Sequence, residues 1–389
     1  MAIVNNIECI GLKCVGCRSC EQICPKNCIE FKENQEGFLY PNINNDICVQ
    51  CGLCLKHCPM NEKNNQCNSP LKTYALKNKD QNRIMQSASG GASDIIAQYI
   101  ISIGGIVFGC AYTDNLKVKH ILVDKFQDLY KIQSSKYVQS NIGNCYLQVK
   151  ELLDNNKIVL FTGTPCQIAG LYSFLGYKEY ENLYTIDLIC HGVPSPKFLD
   201  KYFDYMSKEL GEPILEYNFR SKDNRGWGTQ YLIKTKTKTK TKTKILSLDK
   251  YGKHFMSGDC YRESCYQCKY ANTNRVSDIT IGDFWGIQKC YPEFFSEKGV
   301  SSIIVNTQKG ENLIKKLSLN VDIMECTLDD VLIKQGNLIK PTLRNASRDT
   351  FYKNIQDDNF IDNIKVGLCL KDRIKSIIPK KIVNKLKQL

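Results

Sequence analysis

Two runs of cysteine near the N-terminus constrain this chain of 389 residues more than any other feature. Both runs have the spacing C-x2-C-x2-C-x3-C and end before a proline, and they contain Cys14, Cys17, Cys20 and Cys24, then Cys48, Cys51, Cys54 and Cys58. Three thiolates this close together can wrap one corner of a cubane iron–sulfur cluster, and the fourth ligand must then come from a distant segment. A zinc site closes with four ligands and has no use for a third cysteine in each run. The runs therefore predict two [4Fe–4S] clusters.

The spacing is that of bacterial two-cluster ferredoxins, in which the fourth cysteine of each run binds the other cluster. We assign cluster I to Cys14, Cys17, Cys20 and Cys58, and cluster II to Cys48, Cys51, Cys54 and Cys24. A short hairpin is expected between the runs, around residues 37–41. Cys28 falls outside the ligand register, which favours a packing role for it.

The composition is that of a globular protein, with 42% hydrophobic and 10% aromatic residues, so a sizeable core is expected beyond the cysteine runs. The first residues have no basic region followed by an apolar core, which argues against a secretory signal and against a disulfide framework. The apolar stretch at residues 95–107 is too short to span a bilayer. A cytoplasmic protein with reduced thiols is therefore expected.

The net charge of +13 is concentrated in a Lys-Thr repeat at residues 234–244 and in the segment after residue 365. No nucleic-acid motif accompanies this charge, which favours an acidic protein partner or a polyanionic cofactor. The repeat is predicted to be a solvated edge strand. The end of the chain, at residues 374–389, has the pattern of a basic amphipathic helix that could contact an acidic partner, a membrane surface or its own domain.

The sequence predicts α+β and α/β organisation in several parts. Residues 1–62 form a small ferredoxin-like two-cluster domain, residues 63–71 a linker, residues 72–210 and 211–345 the two parts of a larger α/β domain, and residues 346–389 a basic helical tail. Strands and helices alternate in residues 157–195, which predicts a partly parallel sheet. The segment after Pro213 is expected to be antiparallel β.

Several polar and thiol groups follow predicted strands of this larger domain. Cys166 and Cys190 come after two such strands, so both should emerge at the carboxyl edge of the sheet, where ligands bind. Cys265 and Cys268 form a C-x2-C pair, with Cys260 nearby as a reserve ligand, although packed cysteines are an alternative. Residues 87–93, rich in glycine and serine, precede a predicted helix whose N-terminus could bind phosphate.

These segments resemble the coenzyme F420 hydrogenase/dehydrogenase beta-subunit family. The similar motifs lie between about residues 72 and 310 and are Ser89-Gly-Gly, Ser135-Lys-Tyr-Val-Gln-Ser, Phe161-Thr-Gly-Thr-Pro-Cys-Gln-Ile-Ala-Gly-Leu, Cys190-His-Gly-Val-Pro-Ser-Pro, Ser264-Cys-Tyr-Gln-Cys and Ile281-Gly-Asp-Phe-Trp-Gly. The resemblance implies a flavin-bearing α/β domain with its own [4Fe–4S] cluster. It does not imply a substrate, because substrates vary across the family, from a deazaflavin coenzyme to a chlorophyll derivative.

From the resemblance we expect a third cluster bound by Cys166, Cys190, Cys265 and Cys268, with Cys260 able to replace Cys190. We also expect a flavin, FAD rather than FMN, with phosphate contacts from Ser89, Gly90 and Gly91. The ring or ribose would lie against Thr162, Gly163 and Thr164, with Lys136 balancing negative charge and His191 near the ring.

The implied function is that of an oxidoreductase in which electrons pass between clusters, a flavin and a coenzyme F420-like or other organic substrate. The alternative is an electron-transfer adaptor, one subunit of a larger complex whose chemistry lies on a partner protein. The sequence shows no convincing general acid or base, with only four histidines. That is expected if the flavin carries the chemistry.

Overall fold

A computed structural model describes residues 6–62, 66–223, 226–236, 241–246, 249–317 and 319–364. The strands are β1 (Ile29–Glu33), β2 (Leu39–Ile43), β3 (Lys72–Asn78), β4 (Ile106–Tyr112), β5 (Val118–Val123), β6 (Val159–Gly163), β7 (Leu183–Leu188), β8 (Ile214–Asn218), β9 (Tyr231–Lys236), β10 (Thr241–Leu246), β11 (Ile279–Asp283), β12 (Ser301–Val305) and β13 (Val321–Cys326). The helices are α1 (Ser19–Gln22), α2 (Leu53–Lys56), α3 (Gln81–Gln86), α4 (Ala92–Ser102), α5 (Cys145–Asp154), α6 (Pro165–Phe174), α7 (Pro196–Leu210), α8 (Lys250–Ser257), α9 (Ile287–Cys290), α10 (Gln308–Lys315), α11 (Leu328–Leu332), α12 (Ser347–Asn354) and α13 (Phe360–Asn363). Short 3-10 helices cover Ile7–Lys13, Phe126–Ile132, Glu263–Gln267, Pro292–Phe294 and Gly336–Leu338.

The N-terminal segment is a small unit built around the two cysteine runs. Strands β1 and β2 pair antiparallel between the runs, which confirms the predicted hairpin. One short helix follows the second cysteine of each run, and each begins after a residue in the left-handed conformation, Arg18 before α1 and Gly52 before α2. The two runs therefore fold alike.

The larger domain is built on an eight-stranded sheet with the strand order β13-β3-β12-β11-β7-β6-β4-β5. The four central strands, β11, β7, β6 and β4, run parallel to one another. The strands on either side of these four pair antiparallel with their neighbours. The partly parallel sheet is thus confirmed. Both predicted parts, residues 72–210 and 211–345, contribute strands to this one sheet.

Helices cover both faces of this sheet because the buried residues alternate along each strand. On one face, Val107 and Leu160 pack with the apolar side of α4 and with α10. On the other face, Phe108 and Phe161 pack against α5 and α6. This layering leaves the carboxyl ends of the four parallel strands together at one edge, where open α/β sheets bind ligands.

A second sheet has the order β10-β9-β8 and is antiparallel, as predicted for the segment after Pro213. The described residues of the Lys-Thr repeat are divided between β9 and β10, which pair antiparallel, and do not form one strand. Strand β10 is the edge strand, and residues 237–240 lie outside the described residues. Helices α7, α8, α12 and α13 pack with β8 and β9 in an aromatic core. The amphipathic pattern at residues 374–389 lies outside the described residues. No helix in the described part of the chain is long and apolar enough to cross a membrane.

Candidate iron–sulfur centres and an adjoining cavity

The structure brings together the four cysteines predicted to bind cluster I. Each of Cys14, Cys17, Cys20 and Cys58 is at most 8% exposed. Burial raises the pKa of the Cys17 thiol well above its ordinary value, and the charges on Cys58 and Cys14 raise it further. Burial likewise raises the pKa of Cys20, followed by the charges on Cys17, Cys14 and Cys58. Cys58 of the second run therefore lies with three cysteines of the first, as the crossed assignment requires.

The four cysteines predicted to bind cluster II line a small cavity nearer the surface. Cys24, Cys48, Cys51 and Cys54 surround about 360 Å³ of empty space, which includes the open mouth of the cavity. Cys51 is exposed, whereas Cys54 is buried. A fifth cysteine, Cys28, also lines this cavity, and its Sγ lies 3.4 Å from Sγ of Cys24. Cluster II is thus the predicted site that opens to solvent.

The cysteines of the third predicted set come from two strand ends and a 3-10 helix. Cys166 lies in the first turn of α6, directly after β6, and Cys190 follows β7. Pro165 at the start of α6 and a capping box formed by Thr164 fix this turn. Cys265 lies within the 3-10 helix Glu263–Gln267. The fourth cysteine, Cys268, is the C-cap residue of this helix.

These four thiols are close enough to interact electrostatically. Burial raises the pKa of Cys190 well above its ordinary value, followed by the charges on Cys265, Cys166 and Cys268. Burial raises the pKa of Cys265 to about 12, again with contributions from Cys268 and Cys166. Burial, followed by the charge on Cys268, raises the pKa of Cys166 to about 11. Iron would have to replace these protons, because only the thiolate is a ligand.

Cys260 is placed differently from the other four. It is fully buried in the aromatic core, and its carbonyl oxygen accepts a hydrogen bond from the hydroxyl of Tyr352. The charge on Cys265 contributes to the raised pKa of Cys260, whereas Cys265, Cys166 and Cys268 all contribute to that of Cys190, so the structure favours Cys190 over the reserve ligand Cys260.

The donor chemistry of the three sets suits a cluster better than a single ion. Among the residues that the structure describes, no group of three or more His, Cys, Asp or Glu side chains is placed to hold one metal ion. In a cubane each thiolate binds a different iron, so the sulfurs need not converge on one point. The three all-sulfur sets fit [4Fe–4S] clusters in this respect.

Cluster I and the third set meet across helix α6. A Cβ atom added at Gly170 would lie 2.7 Å from Cβ and 3.0 Å from Sγ of Cys17. Gly170 is about one helical turn after Cys166 on the same helix. The charge on Cys166 also contributes to the raised pKa of Cys17, after burial and the nearer cysteines. The absence of a side chain at Gly170 thus lets a cluster I ligand pack directly on the helix that carries a third-set ligand.

A buried arginine also joins the N-terminal segment to the third set. Arg262 is 1% exposed and lies three residues before Cys265. Its Nε donates to the carbonyl oxygen of Cys14 at 2.7 Å, and its Nη2 donates to that of Leu39 at 3.0 Å. The guanidinium carbon lies 4.0 Å from the ring centroid of Tyr40. One side chain therefore holds the hairpin, the first cluster I ligand and the third set together.

A large cavity lies at the carboxyl ends of the parallel strands. It contains about 1320 Å³ of empty space, including its open mouth. Its wall is formed by the loop before α4, the segment after the 3-10 helix Phe126–Ile132, and the ends of β6, β7 and β11. This is the edge where the sequence predicted a ligand.

Most of the predicted cofactor contacts line this cavity: Ser89, Gly91, Lys136, Thr162, Gly163 and His191. Two do not line it. Gly90 packs against the sheet, since an added Cβ would lie 2.3 Å from the carbonyl oxygen of Leu76 and 2.6 Å from the amide nitrogen of Ser301. Thr164 caps helix α6, where its side chain and that of Gln167 form the capping box.

Lys136 and His191 are the predicted titratable groups of the cavity wall. Burial lowers the pKa of Lys136 to about 8. Its Nζ donates to the carbonyl oxygen of Gln133 at 2.7 Å and to that of Lys131 at 3.1 Å. Burial also lowers the pKa of His191, with a smaller opposing contribution from Asp283. Both groups are therefore shifted towards their neutral forms.

Sequence reasoning missed a group of charged and aromatic residues at the same cavity. Asp283 and Trp285 line it, and Arg220 donates to both carboxylate oxygens of Asp283, at 2.7 and 2.8 Å. Trp227 stacks on Trp285 with ring centroids 4.6 Å apart and donates to Asp283 at 2.6 Å. The acid and aromatic that end β11 were visible in the sequence, but their partners were not.

Comparison with known proteins identifies two parts of the chain. Residues 156–330 match the family that represents the C terminus of the beta subunit in coenzyme F420 hydrogenase/dehydrogenase. Residues 13–61 match the 4Fe–4S dicluster domain.

The curated relatives of the N-terminal part include ferredoxins and ferredoxin-type proteins. Ferredoxin-type protein NapF of Haemophilus influenzae is 39% identical over 56 residues, which cover 14% of this chain and 32% of that protein. Ferredoxin 7Fe of Hydrogenibacillus schlegelii is 35% identical over 82 residues, which cover 21% of this chain and 95% of that protein.

Further similarities concern the larger domain. The 7-hydroxymethyl chlorophyll a reductase of Oryza sativa subsp. japonica is 27% identical over 171 residues, 44% of this chain and 33% of that protein. The chain thus spans about a third of the length of the first curated relatives it matches. A chain from the F420-reducing [NiFe] hydrogenase complex of Methanosarcina barkeri aligns with a TM-score of 0.46 and 16% identity, over 76% of this chain and 90% of that chain. Residues 156–330 of the chain are therefore related to the C terminus of the beta subunit in coenzyme F420 hydrogenase/dehydrogenase, an oxidoreductase family, and residues 13–61 are an iron–sulfur electron-transfer domain of the 4Fe–4S dicluster type.

Proposed function

We propose that this protein is a cytoplasmic iron–sulfur flavoprotein that passes electrons between [4Fe–4S] clusters, FAD and an organic redox substrate. The observation that supports this most is that the third thiol set and the cavity share the ends of β6 and β7. Cys166 and Cys190 belong to the thiol set, whereas Gly163 and His191, close by in sequence, line the cavity. A cofactor in the cavity would therefore lie beside a cluster bound by the third thiol set.

The three predicted clusters would form a series from the surface to the cavity. Cluster II lies at the outside, since Cys51 is exposed. Cluster I follows, with Cys17 packed on the helix that carries Cys166 of the third set. Exposed apolar side chains at Ile47 and Val49, beside the cluster II ligands, offer a surface where a redox partner protein could exchange electrons with the chain.

The residues of the cavity fit a flavin dinucleotide. The backbone N–H groups of Ser89 and Gly91, which line the cavity, donate to no acceptor among the described residues, which leaves them for phosphate oxygens. Lys136 would balance negative charge near the ring, while Thr162 and Gly163 would line it. A bound flavin would exchange single electrons with the clusters and a hydride with an organic substrate.

The enzyme interpretation competes with the adaptor interpretation. The match to a protein named as a reductase supports an enzyme, and the substrate could be coenzyme F420 or another organic redox compound. As an adaptor, the chain would pass its electrons to a partner protein that carries the chemistry.

An anaerobic reoxidation experiment separates these interpretations. The purified chain, loaded with iron and FAD, is photoreduced, and coenzyme F420, nicotinamide nucleotides and other candidate acceptors are then added separately. The enzyme interpretation predicts reoxidation by one small molecule in the absence of other proteins. Reoxidation that requires a co-purifying protein would refute the enzyme interpretation in favour of the adaptor.

A further inference from the structure

The loop before α4 is held by hydrogen bonds to three consecutive carbonyl groups. Arg220 donates from Nη2 to the carbonyl oxygen of Ala88 at 3.0 Å. Lys222 donates from Nζ to that of Ser89 at 2.6 Å. The amide of Asn78 donates to that of Gly90 at 2.8 Å. Each of these three carbonyl groups therefore accepts a hydrogen bond from the protein.

This anchoring fixes where the N–H groups of the loop point. In a trans peptide the N–H group points away from the carbonyl group of the preceding residue. The carbonyl groups of residues 88–90 point towards their hydrogen-bond donors. The N–H groups of residues 89–91 therefore point away from those donors. Gly91 has φ +88°, a left-handed conformation, at the N-cap of α4, where successive N–H groups can form a concave anion site.

Lys222 is unusual because it is buried and, within the described part of the chain, its hydrogen-bond acceptors are backbone carbonyl groups and not a carboxylate. It is 3% exposed, and its Nζ donates to the carbonyl oxygens of Ile84 and Ser89, both at 2.6 Å. Burial, followed by the charge on Arg220, lowers the pKa of Lys222 to about 7. Burial of an amine costs free energy. Here the two hydrogen bonds of the amine join Ile84 in α3 to Ser89 in the loop before α4.

We propose that Lys222, together with Arg220, is a positioning residue that holds the 88–91 loop with its N–H groups turned towards the phosphates of a dinucleotide. This inference rests on the proposed flavin site. Lys222 is absent from the cavity wall, so it would act through the loop and not by touching the ligand. Arg220 also holds Asp283, which does line the cavity, so one guanidinium links the loop to the end of β11.

The test compares ligands with and without phosphate. Binding of FAD and of riboflavin to the anaerobic full-length protein is measured by fluorescence quenching for the wild type and for Lys222→Met. We expect Lys222→Met to weaken FAD binding about tenfold or more, equivalent to about 1.4 kcal/mol, and to leave riboflavin binding within about twofold. Lys79→Met is the matched control, since Lys79 also donates to a backbone carbonyl, that of Leu319, but is exposed. It should bind both ligands as the wild type does.

Hydrogen exchange of the loop amides in the absence of flavin gives a second readout. Lys222→Met should speed exchange in residues 88–91 while exchange in β6 and β7 stays unchanged. Lys222→Gln keeps a neutral donor and should lie between the wild type and Lys222→Met in both measurements.

The possible results distinguish failure of the proposed flavin site from failure of the positioning role of Lys222. A wild type that binds neither FAD nor riboflavin overturns the proposed flavin site and this inference with it. A wild type that binds FAD, with a Lys222→Met variant that binds it equally or loses FAD and riboflavin alike, overturns the positioning role only. If neither Lys222→Met nor Lys222→Gln folds with wild-type iron content, Lys222 is a structural residue and the inference is wrong.

Discussion

Replacement of Arg262 by methionine should loosen the N-terminal iron–sulfur domain from the larger domain. Methionine can keep the apolar contact with Tyr40, but it cannot donate to the carbonyl oxygens of Cys14 and Leu39 or to Oε1 of Gln139. Each buried acceptor left without a partner costs about 1–3 kcal/mol, so the three together cost about 3–9 kcal/mol. Loss of the cation–π contact adds about 1 kcal/mol, and relief from burying a charge offsets part of the total.

The assay is limited proteolysis under anaerobic conditions. A protease that cuts in the predicted linker, residues 63–71, should release the N-terminal fragment from Arg262→Met faster than from the wild type, while both fragments keep their iron. Electron transfer from the N-terminal clusters to the larger domain should slow in parallel. Arg344→Met is the matched control, because Arg344 pairs with Glu263 and Asp349 at the surface, where ion pairs contribute little. Wild-type rates of release and of electron transfer in Arg262→Met would show that Arg262 does not hold the two domains together.

Three further predictions follow from the same geometry. Gly170→Ala overpacks the contact with the cluster I ligand and should destabilise the holoprotein by about 1–3 kcal/mol in thermal unfolding, whereas Gly336→Ala, with nothing within 4 Å of the added Cβ, should be neutral. Cys166→Ala should lose about four irons per chain, and Cys260→Ala, placed in the aromatic core, should lose none; equal losses would contradict the third set. The pKa of Lys222 falls from 10.5 to about 7 on folding, so between these pH values the unfolded chain binds a proton that the folded chain does not. The free energy of unfolding of the wild type, relative to that of Lys222→Met, should therefore rise as the pH increases from 7 towards 10. A difference that stays constant or falls over this range would contradict the burial of this amine.

The sequence was most informative where function depends on local spacing. The ligands of clusters I and II could be assigned because three cysteines within seven residues and a following proline leave few arrangements. The strand-to-loop segments after β6 and β7 were also predictable, since alternating strands and helices imply parallel strands with a common carboxyl edge. The positions of Cys166 and Cys190 at that edge follow from this pattern alone.

The contacts that complete the sites depend on residues distant in sequence. Arg220 and Lys222 lie in a segment with the composition of a turn, and only the fold brings them beneath a loop more than 130 residues earlier. The two glycines of that loop look equivalent in sequence, yet Gly91 lines the cavity while Gly90 packs on the sheet. Thr164 was expected at the cofactor but caps a helix, a role that its position before Pro165 also allowed.

The proposed electron path contains three clusters and one flavin in series within this chain. The most direct measurement is the iron and flavin content of one anaerobically purified and reconstituted sample of the full chain. Three clusters and one flavin site should give about twelve irons and about one FAD per chain. About eight irons would contradict the third thiol set, and the absence of bound FAD after reconstitution would contradict the cavity as a flavin site.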